Sequence, residues 1–211
     1  KFNYKRLTKK EIHLAIRYND FINKVLKLNN EVGDLKLYFK PFKFDKSTFG
    51  INPGATYGSA KRWYPQEFAK LAITLSSKYD IVIFGGPSEI DIAKDIEDEL
   101  VKNGVLNYQN LAGKTSIKEL IEKIAGLNLF VTNDSGPMHV AAAYKVKTVS
   151  IFGPTKFTET NQWRNDKNGL IVTKNLDCAP CMKRECPLKH HNCMKNITAS
   201  DVMSAILKLE D

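Results

Sequence analysis

Residues 129–143 read LFVTNDSGPMHVAAA, and the order of residue types in that stretch decides the fold class. Leu129 to Thr132 is an apolar run of strand length, Asn133, Asp134 and Ser135 are turn formers, and Gly136 opens a helix whose Ala141, Ala142 and Ala143 can pack closely on a sheet. A strand passing through a tight turn into a helix is half of a β/α repeat. The backbone N–H groups of Ser135 and Gly136 then lie at the positive end of the helix, where a phosphate is welcome, and Gly136 lets it come close. His139, four residues after Ser135, shares that helix face. A plainer reading stays open, with Asp134 as an N-cap and His139 in the core.

The same alternation continues on both sides. Strand-length runs at Phe49 to Asn52, Ile81 to Phe84, Thr148 to Phe152 and Leu170 to Val172 are interleaved with amphipathic helices over 65–78, 88–102, 116–125 and 136–144. Pro65 suits a first helical turn, and Ser116 with Glu119 makes a capping box. IVIF and LFVT are apolar without alternation, as a parallel sheet covered on both faces requires. Residues 50–173 therefore predict a doubly wound α/β unit, closed by a helix from about Thr198 to Leu209.

Upstream, Thr8 and Glu11 form a second capping box opening a helix to about Asn29, with Ile12, Ile16, Ile22, Val25 and Leu26 on one face. A short alternating strand over Leu35 to Phe39 and a Lys/Phe/Pro linker (KPFKFDKSTF) follow, and the linker reads as a boundary. The sequence thus divides into 1–48, a basic helix, strand and linker, and 49–211, a binding domain that carries a Cys-rich loop over 177–194.

In such a sheet the ligand site lies at the carboxyl ends of the strands. Pro53 to Trp63 (PGATYGSAKRW) is a small-residue loop that brings backbone to a ligand, followed by Lys61 and Arg62, a combination suited to a diphosphate. Gly85, Gly86, Pro87, Ser88 and Glu89 leave the next strand, and Glu89 either favours the helix start or accepts hydrogen bonds from ribose hydroxyls. The diglycine lacks the GxGxxG spacing of nicotinamide and flavin sites, and Gly113, Lys114 and Thr115 lack the first glycine of a phosphate-binding P-loop. Their loop can still line a nucleotide pocket. A second turn, Phe152 to Thr155, should lie beside Asp134.

All four cysteines, Cys178, Cys181, Cys186 and Cys193, fall within one short stretch (C-x2-C-x4-C-x6-C) that also holds His190 and His191. Four soft ligands are able to hold a structural Zn²⁺; free thiols are the alternative, and neither implies catalysis. The clustering points away from a secreted disulfide framework and towards a reducing compartment.

The 211 residues suffice for one buried core. At 43% hydrophobic and 26% charged the chain is neither disordered nor fibrous. It carries no apolar stretch long enough to span a membrane and no signal-peptide h-region. It begins at Lys1, which leaves an upstream start open. Residues 1–50 hold 12 Lys/Arg against 5 Asp/Glu, so most of the net +9 sits in that segment. It serves either a phosphate-rich or anionic partner or simply a solvated helix face.

Taken in order, NPGATYGSAKRW, FGGPSE, NLAGKTS, NDSGPMHVAAA, IFGPT and the CAPC/ECPLKHH/CM tail, over residues 51–195, resemble the lipopolysaccharide heptosyltransferases of glycosyltransferase family 9, within it the heptosyltransferase II branch. The resemblance implies a GT-B enzyme of two Rossmann-like lobes, of which this chain is the C-terminal, donor-binding one. It implies an ADP-heptose donor, a heptosyl-Kdo₂-lipid A acceptor and an inverting transfer that needs no metal. Carried over motif by motif, Lys61 would neutralise the diphosphate, Asp134 would bind sugar hydroxyls, Ser135, Gly136 and His139 would hold phosphates, Glu89 the ribose, and Thr56 and Thr115 would complete the donor site. The general base is expected in the N-terminal lobe, so this chain alone should bind donor and transfer nothing. The implied location is the bacterial cytoplasm, peripheral at the inner membrane, with an anionic lipid surface as a further partner. Two rivals are a family 9 relative or nucleotide-sugar epimerase using another donor, and a non-enzymatic zinc module for nucleic acid; no nucleic-acid partner is expected.

Overall fold

The computed structural model describes residues 11–210. Six strands, β1 (Thr48–Asn52), β2 (Asp80–Ile83), β3 (Tyr108–Asn110), β4 (Leu129–Asn133), β5 (Thr148–Ile151) and β6 (Gly169–Val172), form one parallel sheet in the order β3-β2-β1-β4-β5-β6. The chain steps outward from β1 to β3, then returns to β4 on the other side of β1. Ile51 therefore lies between Ile83 and Val131. This reversal opens a crevice between the carboxyl ends of β1 and β4.

Eight helices accompany the sheet among the described residues: α1 (Leu14–Leu26), α2 (Pro65–Leu75), α3 (Ile90–Lys102), α4 (Ile117–Ala125), α5 (Gly136–Ala143), α6 (Phe157–Thr160), α7 (Asn192–Lys195) and α8 (Ala199–Glu210). Their starts follow local chemistry. Pro65 stands in the first turn of α2, where its missing N–H costs nothing. Ser116 and Glu119 cap α4 reciprocally, each side chain bonding the other's backbone N–H.

Pleating explains the continuous apolar strands. Phe49, Ile51, Ile81, Ile83, Leu129 and Val131 point into a core shared with α2, α3 and α8, whereas Val82, Phe84 and Phe130 point the other way, against Ile124 and Ala141 of α4 and α5. Both faces are covered, so both alternate sets are mainly apolar. At Gly50 the second core leaves no room: a Cβ would stand 2.4 Å from Leu127 Cδ1. The doubly wound α/β unit expected over residues 50–173 is present.

The N-terminal expectations need correction. Thr8 lies outside the described residues, and α1 starts at Leu14, capped by His13, whose Nδ1 accepts from Ala15 N–H at 3.1 Å. Glu11 instead pairs with Lys156 and Thr158. No residue of α1 is buried, and Ile22, Val25 and Leu26 of the expected core face are exposed. Leu35 to Phe39 form no strand, because no neighbouring strand offers a ladder; Phe39 N–H and C=O both bond the Tyr144 hydroxyl instead, at 3.1 and 2.8 Å. Strand β3 carries no strand signal in the sequence, since Tyr108, Gln109 and Asn110 show no apolar run and lie at the sheet edge. Among the described residues no helix is long and apolar enough to cross a membrane.

Candidate functional site

The crevice between β1 and β4 widens into a cavity of about 530 Å³. Thr56, Lys61, Glu89, Thr115, Asp134, Ser135, Gly136 and His139 all line it. Residues from the ends of four strands thus meet in one place, the eight that the sequence singled out among them. Asn52, at the end of β1, lines it too and donates to Gly54 O at 3.3 Å.

An ion pair sits in its wall. Lys61 Nζ is 2.6 Å from Asp134 Oδ2, with the two side chains 13% and 5% exposed. Thr155 Oγ1 donates to the same carboxylate oxygen at 2.7 Å. The turn after β5 does lie beside Asp134, and Thr155 is its contribution. Asp134 is therefore not the N-cap of α5; Ser135 holds that position, without a side-chain cap bond. The first-turn N–H groups of α5 face the cavity uncapped by a side chain, as a site for an anion requires. Asn133 ties the floor together: its Oδ1 accepts from Trp63 N–H at 3.1 Å and its Nδ2 donates to Pro53 O at 2.7 Å.

Glu89 ends a 3-10 turn, Pro87–Glu89, before α3. Its Oε2 accepts from Gly86 N–H at 2.8 Å, so the carboxylate closes its own turn while still lining the cavity. It lies directly beneath Gly54, where a Cβ would be 1.9 to 2.0 Å from the carboxylate atoms. Only a glycine lets the β1 loop pass over it. His139 is partly buried, and that burial holds its imidazolium below its usual range; Asp134 pulls the other way, and His13 and Lys61 add to the depression.

Tyr57 is a member of the site that its sequence context does not mark. Lys61 Nζ stands 4.7 Å and the Arg184 guanidinium 5.2 Å from its ring centroid, so one aromatic ring carries two cations. The only signal for it was its place inside the glycine-rich loop. The cysteines surround a second, much smaller cavity of about 20 Å³, with Ala60, Pro154, His190 and His191 also in its wall. All four thiols are free. Among the described residues no group of three or more His, Cys, Asp or Glu is arranged to hold a metal ion. Burial, reinforced by the neighbouring cysteines, pushes the Cys193 thiol up to about 11.

Comparison with known proteins agrees with this geometry. The profile of glycosyltransferase family 9 (heptosyltransferase) matches residues 4–192. A lipooligosaccharide heptosyltransferase 2 of Campylobacter jejuni is 46% identical over 209 residues, covering 95% of this chain and 65% of that protein. The lipopolysaccharide heptosyltransferase 2 of Escherichia coli K12 is 37% identical over 112 residues, 53% of this chain and 32% of that protein. Among solved structures, E. coli ADP-heptose LPS heptosyltransferase II superposes with a TM-score of 0.67 at 24% identity, over 98% of this chain and 55% of that one. A family 9 glycosyl transferase of Veillonella parvula gives 0.76 at 21%, over 99% and 63%. The chain thus spans about two thirds or less of the relatives it matches. Its sheet is the Rossmann-like lobe of a GT-B fold, and with the family profile running from before α1 to the start of α7, the chain belongs to glycosyltransferase family 9.

Proposed function

We propose that this chain is the donor-binding lobe of an inverting heptosyltransferase, which moves L-glycero-D-manno-heptose from ADP-heptose to the inner-core heptose of lipopolysaccharide. The observation that carries the reading is the Lys61–Asp134 pair beside the uncapped start of α5, in a cavity at the switch point.

In transfer, the acceptor O–H loses its proton to a base, the new O–C1 bond forms on one face of the heptose, and the C1–O bond to ADP breaks on the other. Charge grows on the departing diphosphate. Lys61 and the Ser135 and Gly136 N–H groups supply a cation and helix-end donors without a divalent ion. Lys61 pairs with Asp134; a diphosphate would draw the ammonium partly away and free the carboxylate for sugar hydroxyls. Thr56 and Thr115 line the same cavity and complete the donor contacts, with Glu89 towards the ribose. The general base belongs to the lobe that the longer relatives add, so this chain alone transfers no sugar.

Because the acceptor is lipid-linked, the reading places the protein at the cytoplasmic face of the inner membrane, where Lys24 and Lys27 of the basic segment would meet anionic headgroups. Calorimetry with ADP tests the donor site: binding in the micromolar to millimolar range is expected, and its absence at millimolar ADP overturns the reading. A panel of nucleotide-heptoses and nucleotide-hexoses separates ADP-heptose from the donors of other family members and of epimerases. Metal analysis of the purified chain tests the zinc expectation at the cysteines; metal-free, folded protein overturns it.

A further inference from the structure

The Cys-rich loop is the feature that the proposed chemistry leaves unused, yet it touches the site on two sides. Met182 N–H donates to Pro154 O at 2.8 Å, on the turn that carries Thr155. Cys193 and Met194 close over the same turn; a Cβ on Gly153 would stand 2.4 Å from Met194 Sδ and 3.1 Å from Cys193 Sγ. On the other side the loop holds the turn that carries Lys61. Ala60 N–H donates to Arg184 O at 3.0 Å, the Tyr57 hydroxyl donates to Met182 O at 3.2 Å, and a Cβ on Gly58 would stand 2.3 Å from Arg184 O. The two turns so gripped deliver the two side chains that converge on Asp134.

At the centre of the grip is His191. Its Nε2 lies 2.9 Å from Ala60 O, and its Nδ1 lies 3.2 Å from the Tyr64 hydroxyl. The carbonyl can only accept, so Nε2 carries the proton, and the Tyr64 hydroxyl, able to donate or accept, completes the bond at Nδ1. With Arg184 O on its N–H and His191 on its C=O, the buried Ala60 is bonded to the loop through both backbone polar groups. The residue before Lys61 is therefore anchored by groups more than 120 residues away in sequence. An ammonium on a four-carbon stem has wide reach, and its aim depends on where its Cα is held.

We infer that His191 is a positioning residue for Lys61, and that the Cys-rich loop is a clasp holding the Lys61 and Thr155 turns against Asp134. The inference rests on the donor-site reading above. It assigns the loop a task in diphosphate binding, separate from adenosine binding, for which Thr115 and Ile117 are available in the cavity wall.

NMR titrations of the chain with ADP and with adenosine test it, using wild type, His191→Ala, His191→Gln and Tyr64→Phe. His191→Ala should weaken ADP by about fivefold to tenfold, the effect of one lost hydrogen bond to a buried carbonyl, and leave adenosine within about twofold. His191→Gln, whose amide can reach Ala60 O, should recover most of the ADP affinity, and Tyr64→Phe should fall between. Thermal melts of each variant identify any that does not fold, and the glutamine variant then carries the comparison. Equal losses for ADP and adenosine, or no loss for ADP, overturn the positioning role while leaving the donor site standing. A wild type that binds adenosine and ADP equally weakly overturns both.

Discussion

The Lys61 ammonium stands 2.6 Å from the Asp134 carboxylate although 73 residues separate them, and both side chains are largely removed from water. Two charges held this close in a wall that also contains Thr155 form a unit: removing one leaves the other buried without its counterion.

Lys61→Met should therefore destabilise the chain by about 3 kcal/mol and abolish ADP binding. Asp134→Asn added to it should recover part of the stability, because no buried charge is then left unpaired, without restoring ADP binding. Urea unfolding and calorimetry on the two single variants and the double variant measure the coupling. Additive stability losses would contradict the pairing.

Gly54 and Gly58 should not accept a side chain. At Gly54 an added Cβ meets the Glu89 carboxylate at 1.9 Å, and at Gly58 it meets the Arg184 carbonyl oxygen at 2.3 Å. Gly54→Ala and Gly58→Ala are each expected to cost about 1–3 kcal/mol and to reduce ADP affinity, whereas Gly136→Ala, where nothing lies within 4 Å, should leave stability nearly unchanged. Thermal denaturation ranks the three.

His139 should give stability a pH dependence of defined sign. Its pKa in the folded chain is below the 6.5 of the free imidazole, chiefly through burial. As pH falls through about 6.5, the unfolded chain takes up this proton before the folded one does. The His139 contribution is thus fully present above that value and is lost on acidification towards the folded pKa. Stability measured by urea unfolding at about pH 7.5 and about pH 5.5 should fall more in wild type than in His139→Gln; equal falls would show that His139 is not the depressed group.

Cys193 should be the slowest of the four cysteines to react. It is 7% exposed, while Cys178, Cys181 and Cys186 are partly exposed, and its thiol is pushed up to about 11. Near neutral pH almost none of it is thiolate, the form that reacts. Iodoacetamide labelling followed by peptide mass analysis should show Cys193 modified last, and equal labelling would mean that the clasp opens readily.

Much of the fold was legible because its signals are local. The runs IVIF and LFVT, Pro65 at the head of α2 and the Ser116/Glu119 box each act over a few residues, and each element formed within a few residues of its expected place. The failures share a cause. Leu35 to Phe39 alternates like a strand, but a strand needs a neighbour, and the segment found the Tyr144 hydroxyl instead. Ile22, Val25 and Leu26 share a helix face, but nothing among the described residues covers it. In β3 the polar Gln109 and Asn110 pair because β2 is waiting beside them.

The β/α order and the loops at the carboxyl ends of the strands follow from residue order, since periodicity, turn formers and glycines are properties of neighbours along the chain. It is packing across the sheet that pairs Asp134 with Lys61 and Thr155 rather than leaving it to cap α5, sets Glu89 under Gly54 and brings His191 to the carbonyl of Ala60. Those contacts join residues brought together by the return of the chain from β3 to β4 and by the docking of the Cys-rich loop. Such partnerships depend on how burial and hydrogen bonding are satisfied across the whole sheet, and no local pattern records them.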